Sequence, residues 1–209
     1  MNTSHPAKYS DVLLPIFAEE LQNCSLVLDP FGGVGKLKQI RPDAIVNEIE
    51  FEWAKEAGGI CGDALRLPFA DETFDAICTS PTYGNRMADH HNAKDGSRRI
   101  TYKHCLGHDL HPNNSGQLQW GNAYKEFHKK AWKECYRVLK PKCLFVLNIS
   151  DHIRDGKQVD VMLWHFTNLM DAGFMWVRDY CVDTPRMRRG ANSKARVEYE
   201  WVIVMRKDK

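Results

Sequence analysis

The chain has 209 residues, 43% of them hydrophobic and 27% charged, which are the proportions of an ordinary globular protein. This length predicts one domain, residues 1–209, that is large enough for a substantial core. The net charge is only +2, which excludes a generally basic surface, so a nucleic-acid partner would require a local basic patch.

The cysteines and the apolar runs indicate a location. Seven cysteines are scattered along the chain without a C-x-x-C pair, which predicts reduced thiols in a cytoplasm. No apolar run approaches the roughly 18 residues of a membrane span, and the first residues do not resemble a signal peptide. We therefore expect a cytoplasmic protein that binds no membrane.

The first predicted element is a helix that begins near residue 10. The polar stretch His5-Pro-Ala-Lys-Tyr-Ser10 precedes it, and Ser10 or Asp11 is a candidate N-cap. Apolar residues then recur at helical spacing, which is typical of a helix that covers a sheet. The apolar positions are Val12, Leu13, Ile16, Phe17 and Leu21.

A glycine-rich stretch comes next. A short apolar strand, residues 26–28, leads into Asp29-Pro-Phe-Gly-Gly-Val-Gly35. Glycines at a strand exit permit positive φ and let backbone N–H groups come close to a ligand. An acid at the carboxyl end of a strand lies where open α/β sheets bind ligands. These residues predict a ligand-binding loop with Asp29 beside it.

Two phosphate-binding patterns compete for this loop. A P-loop requires G-x-x-x-x-G-K-[ST], but a leucine follows Gly35-Lys36 and a proline stands in place of the first glycine. A dinucleotide fingerprint, G-x-G-x-x-G, is matched only by Gly33-x-Gly35. Asp29 would repel a phosphate and attract an amino group, which favours a cofactor that carries an amine.

Two further acids follow predicted strands. Residues 43–47 predict a strand that ends in Glu48, which follows Asp29 at nearly the spacing at which a βαβ unit delivers an acid to a ribose. Gly59-Ile-Cys-Gly-Asp63 predicts a third strand that also ends in an acid. A carboxylate accepts hydrogen bonds from both ribose hydroxyls, so Glu48 suits a nucleoside. A solvated acid at a helix start is the alternative interpretation.

A fourth strand is predicted over residues 71–79, and Ser80-Pro-Thr-Tyr83 follows its end. This tetrapeptide resembles [DNS]-P-P-[YFW], the catalytic motif of S-adenosylmethionine (SAM) dependent enzymes that methylate exocyclic amines of adenine or cytosine in DNA. Asp29-Pro-Phe-Gly-Gly-x-Gly35 resembles the first motif of SAM-dependent methyltransferases, and Asp63-Ala-x-x-Leu-Pro-Phe69 resembles their pattern after the third strand. His5-Pro-Ala-Lys-Tyr-Ser10 resembles a segment that such enzymes place against the methionine end of SAM.

The resemblance implies SAM as the cofactor and assigns residues to it and to catalysis. The implied catalytic residues are Ser80, Pro81 and Tyr83. The implied cofactor-binding residues are Lys8, Tyr9, Asp29, Phe31, Gly32, Gly33, Gly35, Glu48, Ile49, Asp63, Ala64 and Ser80. No metal is implied.

Each residue of the Ser80–Tyr83 motif has a physical task in this reaction. An exocyclic amine is a poor nucleophile because its lone pair is delocalised into the ring. The Ser80 side chain and the Pro81 carbonyl would accept its hydrogens, and Tyr83 would stack on a base swung out of its helix. No covalent intermediate is needed, so positioning supplies most of the catalysis.

Two details bear on the target base. Thr82 stands where the motif has its second proline, which leaves the loop less rigid and leaves the base in doubt. Serine in the first position is the form associated with cytosine N4 methylation, whereas aspartate or asparagine is usual for adenine N6. We therefore expect cytosine, with adenine as the alternative.

Residues 84–122 form a long polar insertion, which we expect to be a lid that contacts the substrate. His104, His108 and His111, with Cys105 nearby, superficially resemble a metal site, but no cysteine pair or carboxylate completes a ligand set. Arg86, inside the same insertion, is a candidate contact to nucleic acid. The lid is the preferred interpretation and zinc is the alternative.

The second half of the chain predicts two helices and three strands. Residues 124–139 and 159–170 have helical periodicity, and residues 143–149 read as a buried strand. Two β-rich runs, 174–182 and 198–205, resemble the terminal hairpin that gives the methyltransferase fold its antiparallel last strand.

The connector of this hairpin, within residues 184–197, is a candidate nucleic-acid contact. It contains five basic residues and no acid up to residue 196. These are Arg186, Arg188, Arg189, Lys194 and Arg196. A solvated hairpin loop is the alternative.

The resemblance therefore implies a Rossmann-like α/β fold with a mostly parallel seven-stranded sheet, an antiparallel last strand and helices on both faces. The expected activity is methyl transfer from SAM to an exocyclic amine of a nucleic-acid base, with DNA preferred to RNA as the partner. Alternatives are a SAM methyltransferase of RNA or small molecules, and a catalytically silent nucleic-acid-binding relative. The sequence leaves the oligomeric state open, a homodimer included.

Overall fold

A computed structural model describes residue 5 and residues 10–84, 101–184 and 196–209. Nine strands lie in these ranges. They are β1 (Val27–Asp29), β2 (Ile45–Glu48), β3 (Ile60–Cys61), β4 (Phe74–Thr79), β5 (Leu139–Ile149), β6 (His152–Arg154), β7 (Lys157–Val159), β8 (Phe174–Asp183) and β9 (Tyr199–Lys207).

Helices connect and cover the strands. The α-helices of the described ranges are α1 (Leu14–Leu21), α2 (Phe51–Glu56), α3 (Tyr102–Leu106), α4 (Asn122–Val138) and α5 (Val161–Asp171). Short 3₁₀ helices lie at Asp11–Leu13, Lys36–Gln39 and Ser115–Gln117. Within the part of the chain that the structure describes, no helix combines the length and the apolar character needed to cross a bilayer.

Seven strands form one mixed sheet in the order β3-β2-β1-β4-β5-β9-β8, and β6 and β7 pair separately as a hairpin. The first five strands are parallel, whereas β9 runs antiparallel to both β5 and β8. The prediction of a mostly parallel seven-stranded sheet with an antiparallel last strand is confirmed. The strand order reverses between β1 and β4, so the loops leaving these strands diverge and open a crevice at their carboxyl ends.

The pleat of the central strands builds two cores. Phe145 and Leu147 of β5 point to the face that α4 and α5 cover, whereas Val146 between them points to the face that α1 covers. Side chains alternate in this way because successive residues of a strand lie on opposite faces. Phe17 and Leu21 of α1 are fully buried against the second face, as the helical spacing predicted. The sheet is thus covered on both sides, and its strand tips are left for the site.

Three local predictions differ from the structure. Ser10 caps the 3₁₀ turn at Asp11–Leu13 through its backbone alone, without a side-chain hydrogen bond. Val159 belongs to β7 and not to the following helix, which begins at Val161. The β6–β7 hairpin was missed because its strands have three residues each and too few apolar positions to show a period.

Candidate active site

The glycine loop after β1 is shaped by close packing on β2. A Cβ built on Gly32 would lie 2.4 Å from Cγ1 of Val46, so only glycine fits there. Gly33 and Gly35 have φ values of 52° and 76°, which L residues with side chains rarely adopt. The loop can therefore lie flat against the neighbouring strand tip.

The backbone N–H groups of this loop are occupied within the protein. Phe31 donates to the Asp29 carboxylate (3.2 Å), Gly32 to the Asn47 carbonyl (3.1 Å) and Gly33 to the Glu48 carboxylate (2.9 Å). A phosphate site requires such N–H groups to be available and to carry no competing anion. Two carboxylates line the loop instead, which suits the amino group and ribose hydroxyls of SAM and disfavours a phosphate.

Glu48 is the acid at the tip of β2. Its carboxylate is 8% exposed and accepts hydrogen bonds from the N–H groups of Gly33, Ile49 (3.0 Å) and Glu50 (3.1 Å). Burial raises the pKa of this carboxyl to about 7, although the three backbone donors act in the opposite direction. The side chain is therefore held rigidly where the resemblance places the ribose, and its protonation changes near neutral pH.

Asp63 follows β3 and contacts the segment 111–115, which we name the strap. One carboxylate oxygen of Asp63 accepts the N–H of Leu65 (2.8 Å) and the other accepts the side-chain amide of Asn113 (2.7 Å). Ala64, beside it, is 5% exposed. The strap therefore crosses the strand tip at which the resemblance places the adenine.

Glu50, two residues after Glu48, binds the strap through its carboxylate. This carboxylate is 4% exposed and accepts hydrogen bonds from the backbone N–H of His111 (2.9 Å) and the side-chain amide of Asn114 (2.7 Å). A buried carboxylate requires such donors to be tolerated. The sequence did not predict this role of Glu50, because no local pattern separates it from an ordinary acid at the start of a helix.

The catalytic motif follows β4. The hydroxyl of Ser80 donates to Oδ1 of Asn148 on β5 (2.8 Å) and lies 2.9 Å from the hydroxyl of Tyr83. The Tyr83 hydroxyl also reaches Oδ1 of Asn148 (2.8 Å) and the carboxylate of Glu200 on β9 (3.2 Å). The structure thus brings two residues of the predicted motif together with two polar residues from other strands.

Thr82, where the motif has its second proline, is linked to the strap. Its hydroxyl lies 3.1 Å from the carbonyl oxygen and 3.1 Å from the hydroxyl of Ser115, and its carbonyl accepts a hydrogen bond from the Tyr124 hydroxyl (2.8 Å). The loop is therefore held on both sides, one contact coming from the strap and the other from α4.

A buried chain of hydrogen bonds supports that carbonyl. The indole N–H of Trp132 donates to Nδ1 of His165 (3.1 Å), so a neutral His165 carries its proton on Nε2 and donates it to the Tyr124 oxygen (2.9 Å). Burial, with His128 adding to it, lowers the pKa of His165 well below its usual range, which keeps the ring neutral. Tyr124 must then donate its own hydrogen to Thr82. This series of hydrogen bonds therefore has one direction and holds the loop after β4 at Thr82.

Several of the predicted site residues lie outside the described residues. These are Lys8, Tyr9, Arg86, Arg186, Arg188, Arg189 and Lys194. Arg196 is described and exposed at the start of the last strand segment. His5, the first residue of the segment predicted near SAM, packs edge-on against Trp53 (4.2 Å between ring centroids) and lies over Gly33. The first residue of this segment therefore lies beside the glycine loop.

Two histidines in the described part of the insertion contact other groups of the protein. His108 contacts the Glu52 carboxylate (3.3 Å), and Nδ1 of His111 accepts the N–H of Asn113 (3.1 Å). Among the described residues, no group of three or more His, Cys, Asp or Glu side chains is arranged to hold a metal ion. Residues 101–118 instead pack Tyr102 and Leu110 against Trp53 of α2.

The DNA methylase family of N6 and N4 methyltransferases matches residues 74–209, which is most of the chain. The matched part begins with β4, and the Ser80–Tyr83 motif follows the carboxyl end of that strand. The chain belongs to this family. It is accordingly a SAM-dependent methyltransferase, and the glycine loop, residues 29–35, precedes the matched part.

Solved structures share the fold at low sequence identity. A SAM-dependent methyltransferase from Methanosarcina mazei is 16% identical, with 93% of this chain and 97% of that chain covered and a TM-score of 0.57. The N-methyltransferase NodS from Bradyrhizobium japonicum WM9, in complex with S-adenosyl-L-homocysteine, is 13% identical, with 93% and 85% covered and a TM-score of 0.52.

The [4+2]-cyclase SpnF is 15% identical, with 94% of this chain and 80% of that chain covered and a TM-score of 0.58. A cyclase is therefore as similar in fold as a methyltransferase, so the fold by itself does not fix the reaction. No curated protein sequence matches the chain.

Asn148 and Glu200, like Glu50, are residues of the site that the sequence did not predict. A signal for Asn148 was present, since it is a polar residue near the end of an otherwise apolar strand run, beside the tip of the catalytic strand. Glu200 had a weaker signal, an acid directly before the apolar run of the last strand. Both side chains are almost fully buried. A buried polar residue in a central strand requires a partner, and here the partner is the catalytic motif.

The pKa of Glu48 generates a prediction about stability. The Glu48 carboxyl has a pKa of about 7 in the folded state and near 4.5 in the unfolded chain, so the folded state binds the proton more tightly. Its contribution to folding stability is therefore fully present below pH 4.5 and is lost as the pH rises through about 7. We therefore compare the free energy of unfolding of Glu48→Gln with that of the parent. The value for Glu48→Gln minus the value for the parent should be about 2–3 kcal/mol larger at pH 8 than at pH 5. Urea titrations of the ligand-free protein measure this difference. Glu126→Gln on the exposed face of α4 is the matched control and should show no such change, and equal differences for Glu48→Gln at the two pH values would contradict the assignment.

Proposed function

We propose that this methyltransferase transfers a methyl group from SAM to an exocyclic amine of a nucleic-acid base, with cytosine N4 in DNA as the preferred target and adenine N6 as the second. The proposal takes residues 1–209 as one catalytic domain. The observation that carries it is the position of Ser80-Pro-Thr-Tyr83 at the tip of β4, next to the glycine loop after β1. SAM supplies an electrophilic methyl group, and the chain's own residues must hold the amine against it.

The contacts of the motif support this role. The hydroxyls of Ser80 and Tyr83 converge on Oδ1 of Asn148, and both side chains are half-buried. An amine hydrogen can be accepted by the Ser80 oxygen, and the Pro81 carbonyl is the second acceptor in the proposal. The hydroxyl end of Tyr83 is anchored, so the ring is fixed in orientation and can serve as a stacking surface for a base swung out of its helix.

Cofactor binding is proposed at the tips of the first three strands. Asp29 and Glu48 line the glycine loop, with Ile49 following as a half-buried side chain suited to contact the adenine face. Asp63 presents an acceptor to the adenine amino group once the Asn113 amide yields or shares it. The proposed cofactor contacts also include Lys8, Tyr9, Phe31, Gly32, Gly33, Gly35, Ala64 and Ser80.

Nucleic-acid binding is proposed for two segments of the chain. The insertion 84–122 contains Arg86 and includes the strap, which contacts the catalytic loop through Ser115. The connector 184–197 contributes basic residues to a protein with little net charge, and phosphate contacts are what such a local patch offers.

The reaction is tested by analysing its product. The purified protein is incubated with labelled SAM and, in separate reactions, duplex DNA of mixed sequence, single-stranded DNA, RNA and free nucleosides, and the nucleosides are then separated by mass spectrometry. We expect N4-methylcytosine from DNA. Formation of N6-methyladenine would change the assigned base but keep the chemistry. Methylation of RNA or of free nucleosides alone would show that DNA is not the substrate. Methylation of a ring carbon would refute the mechanism.

The stacking role of Tyr83 predicts a specific loss. Tyr83→Ala should weaken binding to DNA by about 1–3 kcal/mol, since one base–aromatic stack is lost, and should leave SAM affinity nearly intact. Fluorescence anisotropy with S-adenosylhomocysteine at saturation measures the DNA affinity, and calorimetry measures that of SAM. Tyr83→Phe is the control because it keeps the ring. DNA affinity equal to that of the parent in Tyr83→Ala would exclude stacking.

The basic connector predicts a salt-dependent effect. Changing Arg186, Arg188 and Arg189 together to alanine should weaken DNA binding and reduce the slope of log K against log salt by up to about 3. Changing Lys129, Lys130 and Lys133 on the exposed face of α4 removes the same charge and is the matched control. Equal DNA affinity of the arginine variant and the parent at every salt concentration would assign the connector no role in binding.

A further inference from the structure

A buried carboxylate lies behind the catalytic motif. Glu200 of β9 is 6% exposed, and its Oε2 accepts hydrogen bonds from Nδ2 of Asn148 (2.9 Å) and from the Tyr83 hydroxyl (3.2 Å). A carboxylate at such a position is costly to bury and is retained where it is paired or used. The carboxylate is thus in direct contact with the Tyr83 hydroxyl, and two hydroxyls, those of Ser80 and Tyr83, separate it from the proposed position of the amine.

Two arrangements of hydrogen are available to the cluster. Ser80 and Tyr83 each have one hydroxyl hydrogen, and in the first arrangement both donate to Oδ1 of Asn148. In the second arrangement Ser80 donates to the Tyr83 oxygen over 2.9 Å and Tyr83 donates to Glu200. The second arrangement leaves a lone pair of the Ser80 oxygen for a hydrogen of the substrate and forms a continuous path to the carboxylate.

We propose that Glu200 takes up the proton that the substrate amine loses during methyl transfer, through the hydroxyls of Ser80 and Tyr83. This inference rests on the proposed function, because it requires an amine as the nucleophile. Asn148 is a positioning residue in the relay, since its amide nitrogen also donates to the Trp201 carbonyl (3.1 Å) and so orients both hydroxyls and the carboxylate from one fixed side chain.

The step balances as follows. The nitrogen lone pair forms the N–CH₃ bond, the S–CH₃ bond breaks with its electron pair passing to sulfur, and the nitrogen gains a positive charge. One N–H proton of the amine then moves to the Ser80 oxygen, the Ser80 hydrogen to the Tyr83 oxygen, and the Tyr83 hydrogen to Oε2 of Glu200. The methylated amine leaves neutral, both hydroxyls are restored, and the Glu200 carboxyl later returns its proton to solvent.

The relay gives the Tyr83 hydroxyl and the buried carboxylate a role in the reaction. A base that only stacks on Tyr83 does not require its hydroxyl, and a motif held only by packing does not require a buried acid behind it. The carboxylate instead stabilises the positive charge that develops on the nitrogen, because a proton moving toward Glu200 disperses that charge over the relay. Glu200 therefore acts on the transition state, and its removal should affect turnover and not binding.

The test compares Glu200→Gln with the parent in single-turnover reactions started from the preformed enzyme–DNA complex. Glutamine keeps the volume and an acceptor oxygen for Asn148 and Tyr83 but has no basic oxygen. We expect the rate of methyl transfer to fall at least about 100-fold, with the dissociation constants for SAM and DNA unchanged within about twofold and an unchanged melting temperature. Glu200→Asp, which keeps a carboxylate, should recover part of the rate. Glu198→Gln, at an exposed position directly before β9, is the matched control and should react like the parent.

A double-variant cycle distinguishes a relay from two independent contributions. Tyr83→Phe keeps the ring and breaks the path, so it should lose rate to a similar degree, and Glu200→Gln combined with Tyr83→Phe should be no slower than the slower single variant. A Glu200→Gln rate within about threefold of the parent, or additive losses in the double variant, would overturn the relay while leaving the proposed function in place. A parent that methylates no exocyclic amine would overturn both.

Discussion

A buried hydrogen bond between the tips of β1 and β4 connects the two halves of the site. The hydroxyl of Thr79 donates to Oδ1 of Asp29 over 2.7 Å, and neither residue is exposed. The same carboxylate oxygen accepts the N–H of Phe31, the first residue of the glycine loop's turn. A charge buried to this degree is tolerated only with such donors. Because Ser80 directly follows Thr79, one carboxylate contacts both the start of the glycine loop and the residue before the predicted catalytic motif.

The parallel pairing of β1 and β4 allows this single hydrogen bond to connect the two loops that follow the strands. Val27 lies opposite Ala76 and Leu28 opposite Ile77, so the two strands end at the same level and their following loops begin side by side. The acids of β2 and of the turn after β3 continue this edge, and the internal use of the loop N–H groups gives it negative rather than positive character. An edge of this kind attracts a cofactor with an amino group and a sulfonium. It repels a phosphate, which is why the site differs from nucleotide-binding loops of similar sequence.

The sequence was sufficient to predict the strands and the residues at their carboxyl ends. It was insufficient to predict the polar side chains that contact those residues from other strands. Apolar runs end in Asp29, Glu48 and Ser80 within a local pattern, so each position can be read without knowledge of the fold. Asn148 and Glu200 are 52 residues apart and meet only because β5 and β9 pair antiparallel in one register. The register between β5 and β9 depends on how the long chain segment between them folds, and local periodicity does not encode this. The polar neighbours of the motif therefore became visible only in three dimensions, as did the strap, whose contacts are made by amide side chains in a segment without periodicity.

The departure of the motif from its usual form has a physical explanation in the structure. A second proline would restrict the loop covalently, and at that position Thr82 restricts it by contacts instead. Its hydroxyl bonds to Ser115 of the strap, which proline cannot do, and its carbonyl accepts the hydrogen of Tyr124 at the end of the chain from His165. The rigidity that the motif requires thus comes from the insertion and from α4. The same bond joins the strap to the loop after β4, so the position of this loop depends on a segment 33 residues further along the chain.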